Sequence, residues 1–181
     1  MQNSNLVVIT GGPGSGKTRV LEALRDRGYI CSDEVARRII QQQVLQGGDA
    51  LPWANRERYT QLMLDGSILA FQKHADSNEI TFFDRGIPDT LCYARLIGFP
   101  NDEMVRSACR NYRYRHQVFF APPWQEIYTT DAERKQDFEV AVRTAELMVK
   151  VYRECGYEIV DLPMAIPEVR AEFIVRRLEA G

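Results

Sequence analysis

The stretch ITGGPGSGKT at residues 9–18 constrains this chain more than any other. Gly11, Gly16, Lys17 and Thr18 fit the spacing G-x-x-x-x-G-K-[ST]. The motif lies between a short apolar run, LVVI at 6–9, and a segment of helical periodicity. A strand, a glycine-rich loop and a helix in that order are the context a phosphate-binding P-loop requires. Gly11, Gly12, Pro13, Gly14, Ser15, Gly16, Lys17 and Thr18 are therefore expected to form a phosphate cradle. Glycines let backbone N–H groups converge on phosphate oxygens without Cβ clashes. The helix N-terminus adds unpaired donors and partial positive charge. Lys17 would reach the β- and γ-phosphates, and the Thr18 hydroxyl would bind Mg2+.

Beyond the loop, apolar runs alternate with helical patterns. Strands are expected at 6–9, 29–31, 80–83, 117–121 and 157–162. Helices are expected to start near Lys17, Asp33, Arg56, Pro88 and Pro167, with further helical spacing through 104–112 and 138–152. On the helix at 56–75, Tyr59, Leu62, Met63, Leu69 and Ala70 should face inward. Gly28 and Gly156 stand where C-terminal caps belong. Five apolar strands alternating with helices imply an α/β fold, a mostly parallel sheet covered on both faces. Ligands of such sheets sit outside the carboxyl ends of the strands. GGPGSGKT, Asp33-Glu34 and Asp84-Arg85 should then meet at one rim.

At 181 residues the chain has the usual size of one domain, taken as 1–181. A helical acceptor-side region is expected at about 33–77 and a lid at about 124–137. The net charge of −2 gives no basic excess, which argues against nucleic acid or a membrane surface as partner. No stretch approaches the ~20 apolar residues of a membrane span, and the N-terminus lacks the basic region of a signal peptide. Cys31, Cys92, Cys109 and Cys155 form no C-x-x-C pair, as expected of free thiols in a reducing cytoplasm. Arg113-Tyr114-Arg115-His116 reads as helix-end basic residues around a packed tyrosine. His74 and His116 lack metal-ligand spacing.

The run ITFFDRG at 80–86 carries a second polar strand end. An acid there is where P-loop proteins hold a second anchor for Mg2+, usually through water. Asp84 fits that role, or caps the next helix. Arg85 would lie along the transferring phosphoryl group or clamp an acceptor, or else form a salt bridge. A signalling GTPase would show D-x-x-G and later N-K-x-D; a transport ATPase would carry an L-S-G-G-Q-type segment. Neither occurs. A ring ATPase would have Asp-Glu at this strand end, the Glu polarising water, and here Arg replaces it. Asp-Arg thus suits phosphoryl transfer to an acceptor better than hydrolysis.

Transfer needs a carboxylate to orient or deprotonate the acceptor hydroxyl. Glu34 is the best placed, with a helix-dipole role as the alternative. Asp33 is a second choice for the base and a good helix cap. Asp89 reads as a first-turn acid rather than an acceptor ligand. Arg37, Arg38, Trp53 and Tyr59 are candidates for the acceptor pocket. Arg134, and less surely Lys135, would close from the lid onto the phosphates.

GGPGSGKT, SDEVARRII, DRGIPDTLCYARLIG, PPWQEIYTTDAERKQDF, ELMVKVYRECGYEIVDLP and PEVRAEFIVRRL, in this order, resemble the small AAA-domain "predicted ATPase" family. That family is allied to the nicotinamide riboside kinase and deoxynucleoside kinase groups. The resemblance covers nearly the whole chain. It implies a three-layer P-loop NTPase fold with a five-stranded, mostly parallel sheet, nucleoside/nucleotide-kinase-like, binding ATP or GTP with Mg2+. By likeness to the deoxynucleoside kinases, Glu34 falls where their base falls, and Asp84-Arg85 on their acid–arginine pair. The expected activity is transfer of the γ-phosphoryl group of ATP to a small-molecule acceptor. A nucleotide-dependent switch and a slow NTPase are the rivals, and a homodimer is left open.

Overall fold

The run at 6–9 is apolar throughout because it lies at the centre of a sheet covered on both faces. The computed structural model describes residues 3–127 and 138–180. Its strands are β1 (Leu6–Thr10), β2 (Ile30–Ser32), β3 (Thr81–Asp84), β4 (Gln117–Phe120) and β5 (Glu158–Asp161). They form one sheet in the order β2-β3-β1-β4-β5, and every pairing in it is parallel. Successive side chains of a strand point to opposite faces, so β1 divides between two cores. Leu6 and Val8 join Phe83, Val118 and Phe120 on one face. Val7 and Ile9 join Phe82, Phe119 and Ala121 on the other.

The second face is covered by α1 (Lys17–Asp26) and α7 (Pro167–Glu179) through Val20, Leu21, Leu24, Ala171 and Ile174. The first face lies under α3 (Arg56–His74), α4 (Ile87–Leu96), α5 (Asp102–Asn111) and α6 (Phe138–Glu154). The remaining helix, α2 (Val35–Gln46), packs on α3 through a small cluster of Ile39, Tyr59 and Met63. α3 starts at Asn55, whose side chain accepts from Arg58 N–H at 3.1 Å, a standard N-cap. Leu69 departs from expectation: it is 65% exposed. The buried stripe of α3 runs through Leu64 and Phe71, seven residues apart and so on one face. Leu69, two residues before Phe71, is turned about 200° away from it.

Arg113, Tyr114 and His74 are packing residues, and His116 is exposed. Arg113 stacks on the Tyr157 ring at 4.2 Å, and Tyr114 is buried. His74 meets Phe83 edge-on, and His116 faces Glu158. The four cysteines are free thiols. Among the described residues no helix is long and apolar enough to cross a membrane.

Candidate active site at the P-loop rim

β1 is flanked by β3 on one side and β4 on the other, so the chain reverses direction across the sheet at its C-terminal end. A crevice forms at such a switch point, and the P-loop fills it. Gly11 has φ 143°, and a Cβ there would lie 2.3 Å from the Ala121 carbonyl oxygen. Only glycine brings the loop this close to β4. α1 carries no acid in its first turn, which leaves its partial positive charge uncancelled. Thr18 is exposed in that turn.

Lys17 is buried and folds back along the loop. Its Nζ donates to Gly11 O at 2.8 Å, Gly12 O at 2.9 Å and Ser15 Oγ at 3.3 Å. Burial, then the charge of Arg85, lowers its pKa to about 8 against the pull of Asp84, Glu34 and Asp89. Asp84 ends β3 in register with Ile9 of β1. It is buried, and its Oδ1 has no hydrogen-bond partner among the described residues. Burial raises its pKa, opposed by Lys17. An orphaned carboxylate oxygen on the strand beside the P-loop fits a hydrated Mg2+, which keeps most of its water and takes one or two carboxylates. No group of three or more His, Cys, Asp or Glu side chains among the described residues offers an all-protein metal site.

Arg85 is the one non-glycine among the described residues with positive φ, at 73°. Left-handed backbone at a bulky residue stores strain, and such strain collects at functional sites. The turn points the side chain back over the loop. Nε donates to Glu34 Oε1 at 2.8 Å, and Nη1 to Gly11 O at 3.1 Å and Asp89 Oδ1 at 3.3 Å. Burial opposes the guanidinium charge, but Glu34, Asp89 and Asp84 outweigh it and hold the pKa above its ordinary value. For Glu34 burial pushes upward, yet Arg85 and then Lys17 keep the carboxyl below the usual range.

Lys17, Glu34, Asp84, Arg85 and Asp89 thus form one mutually charged cluster at the rim. Asp33 stands apart from it. Expected as a cap or as a second choice for the base, it is exposed and pairs with Arg25 of α1 at 2.6 Å, while Glu34 takes the N-cap position with its side chain turned to Arg85 instead of capping the helix. Arg37, Arg38 and Trp53 are exposed, and Tyr59 is buried edge-on against Tyr93 at 5.4 Å. Arg134, Lys135 and residues 128–137 of the expected lid lie outside the described residues.

Sequence reasoning missed how central Asp89 is. Its carboxylate accepts from Thr10 Oγ1 at 2.6 Å and Gly86 N–H at 2.8 Å, and from Tyr152 OH. A buried Thr-Asp-Tyr network has no local spacing by which to find it. Arg170, from α7, was also missed. It donates from Nη1 to Ser15 O at 2.8 Å.

Sheet order, P-loop and rim cluster together define a P-loop protein of kinase-like fold. The chain belongs to the AAA domain family, whose profile matches residues 6–170. It is 31% identical over 83 residues to ribose 1,5-bisphosphate phosphokinase PhnN of Azotobacter vinelandii (strain DJ / ATCC BAA-1303), covering 46% of this chain and 42% of that protein. The NadR protein solved in complex with NR superposes with a TM-score of 0.75 at 21% identity, over 98% of this chain and 52% of that one. Shikimate kinase from Acinetobacter baumannii in complex with shikimate gives 0.57 at 14% identity, over 98% and 94%. The match therefore spans about half the length of PhnN and of the NadR chain.

Proposed function

We propose that this protein is a phosphotransferase that moves the γ-phosphoryl group of ATP to a small-molecule acceptor. The observation that carries this reading is the convergence of Lys17, the orphaned Asp84 Oδ1 and the Glu34–Arg85 pair at the carboxyl ends of β1, β2 and β3. The kinase-like fold supports it, as does the local likeness to a phosphokinase. GTP suits the same cradle as donor. The P-loop amides and Lys17 would hold the β- and γ-phosphates, and Thr18 and Asp84 would hold Mg2+. When bound, Mg2+ supplies neutralisation of the charge that develops between those phosphates.

Arg85 would steady the phosphoryl group in flight, and Arg134 would add positive charge from the lid. Glu34 would take the acceptor's hydroxyl proton as the new O–P bond forms and the bond to the ADP oxygen breaks. Its pKa, held low by Arg85, keeps it ionised and able to accept that proton. The region from α2 to α3 would wall the acceptor side. NadR with NR and shikimate kinase with shikimate carry different small molecules on one fold, so the acceptor here depends on side chains rather than topology. Four free thiols accord with the cytoplasm as compartment.

Nucleosides, nucleotides, vitamins and sugars are screened for accelerated ADP release with ATP and Mg2+. One acceptor should stimulate turnover, and Glu34→Gln should lower that stimulated rate about 10²–10⁴-fold while ATP affinity holds. Turnover indifferent to every acceptor, or tight binding with none, would overturn the kinase reading in favour of a hydrolase or a switch.

A further inference from the structure

Arg170 is the largest fully buried side chain of the described residues, 1% exposed. It comes from α7, an element that carries none of the site residues above. Its Nε donates to Pro163 O at 3.0 Å and its Nη1 to Ser15 O at 2.8 Å. The guanidinium lies 6.0 Å from the centre of the Trp124 ring. Its Nη2 is buried with no hydrogen-bond partner, and no carboxylate pairs with Arg170 among the described residues.

Two backbone carbonyls do not explain a full buried charge. A neutral amide could satisfy them, and burying a guanidinium without a counter-ion is costly. Arg170 instead stands behind the loop that faces phosphate. A trans peptide points its C=O and N–H in opposite directions. Nη1 binds the carbonyl of the Ser15–Gly16 peptide, so the Gly16 N–H of that unit points away from Arg170. A charged donor on the carbonyl polarises the unit and strengthens its N–H. Gly16, with φ 81°, makes the approach available: a Cβ there would lie 3.0 Å from Nη1 and 3.2 Å from Ile127 Cδ1.

We infer that Arg170 is a positioning residue for the nucleotide's phosphates, acting through the Ser15–Gly16 peptide, with the bound polyphosphate as its counter-ion. This rests on the P-loop of the proposed function being a nucleotide site. It adds to Lys17 a second cation, held on the Ser15 carbonyl, that favours ligands by their phosphate charge.

Calorimetry compares ATP, AMP and inorganic tripolyphosphate on the parent, Arg170→Met and Arg170→Lys. Arg170→Met should lose about tenfold in affinity for ATP and tripolyphosphate, the size of one charge-assisted hydrogen bond, and much less for AMP. Arg170→Lys should recover most of the loss. Equal losses for all three ligands, or none, would leave Arg170 as a tie between α7 and the loop and overturn the inference. A parent that binds neither ATP nor tripolyphosphate defeats the nucleotide reading itself. Should Arg170→Met not fold, Arg170→Gln, which keeps a neutral donor for the Ser15 carbonyl, answers in its place: parental affinity for tripolyphosphate in that variant overturns the inference.

Discussion

Tyr152 donates a hydrogen bond to Asp89 across 63 residues of sequence. The same carboxylate accepts from Thr10 at the end of β1, from the Gly86 amide that opens α4, and from Arg85. One buried anion thus joins α6, α4 and the strand that feeds the P-loop. Each donor alone is ordinary, but together they fix where β1 ends relative to Arg85.

The Tyr152 hydroxyl is therefore a stability element. Tyr152→Phe keeps the ring in the core and removes one donor to a charged acceptor, a loss of about 1.5–3 kcal/mol. Urea denaturation of parent and variant reads it directly. A variant within experimental error of the parent would show that Thr10, Gly86 and Arg85 suffice.

Arg85 separates backbone strain from side-chain bonding. Arg85→Ala and Arg85→Gly both leave the half-buried Glu34 carboxylate without its partner and take one of four donors from buried Asp89, and both should destabilise. At φ 73°, glycine avoids a left-handed penalty of about 1–2 kcal/mol that alanine keeps. The glycine variant should thus be the more stable of the two. In either, Glu34 loses the partner that holds its pKa down, so carbon NMR should find its carboxyl titrating at higher pH. Equal stability of the two variants would show that the turn relaxes without Arg85.

Lys17 gives two opposed pH effects. Its folded pKa of about 8 lies below the ordinary lysine value of 10.5. Between those values the unfolded chain holds a proton that the ligand-free fold has released. Stability rises with pH wherever the unfolded state binds more protons, so the penalty of the buried charge is full below pH 8 and is relieved as pH climbs toward 10.5. ATP affinity should run the other way. Phosphates need the ammonium form, so above the folded pKa binding takes up a proton and weakens by up to about tenfold per pH unit. Calorimetry in buffers of different ionisation enthalpy measures that uptake. ATP affinity that is flat across this range would show that Lys17 does not meet the phosphates.

Local spacing and burial runs were legible in the sequence. The apolar run at 6–9, the glycines after it and the helix from Lys17 specify a P-loop because strand, turn and helix are each set by residues a few positions apart. The acid and arginine at 84 and 85 could be placed at a strand end for the same reason. The same arithmetic failed at Leu69, whose helix was right but whose buried face was not, because two neighbours compete for α3: the sheet takes Leu64 and Phe71, and α2 takes Tyr59 and Met63. It failed also at Asp33, which the sheet edge leaves open to Arg25. Tertiary structure alone decided the partners of Asp89 and Arg170. Tyr152 reaches Asp89 because α4 and α6 cover one face of the sheet, and Arg170 reaches Ser15 across 155 residues because α1 and α7 cover the other. Covalent spacing fixes periodicity, but which charge meets which depends on the order of strands that periodicity does not encode.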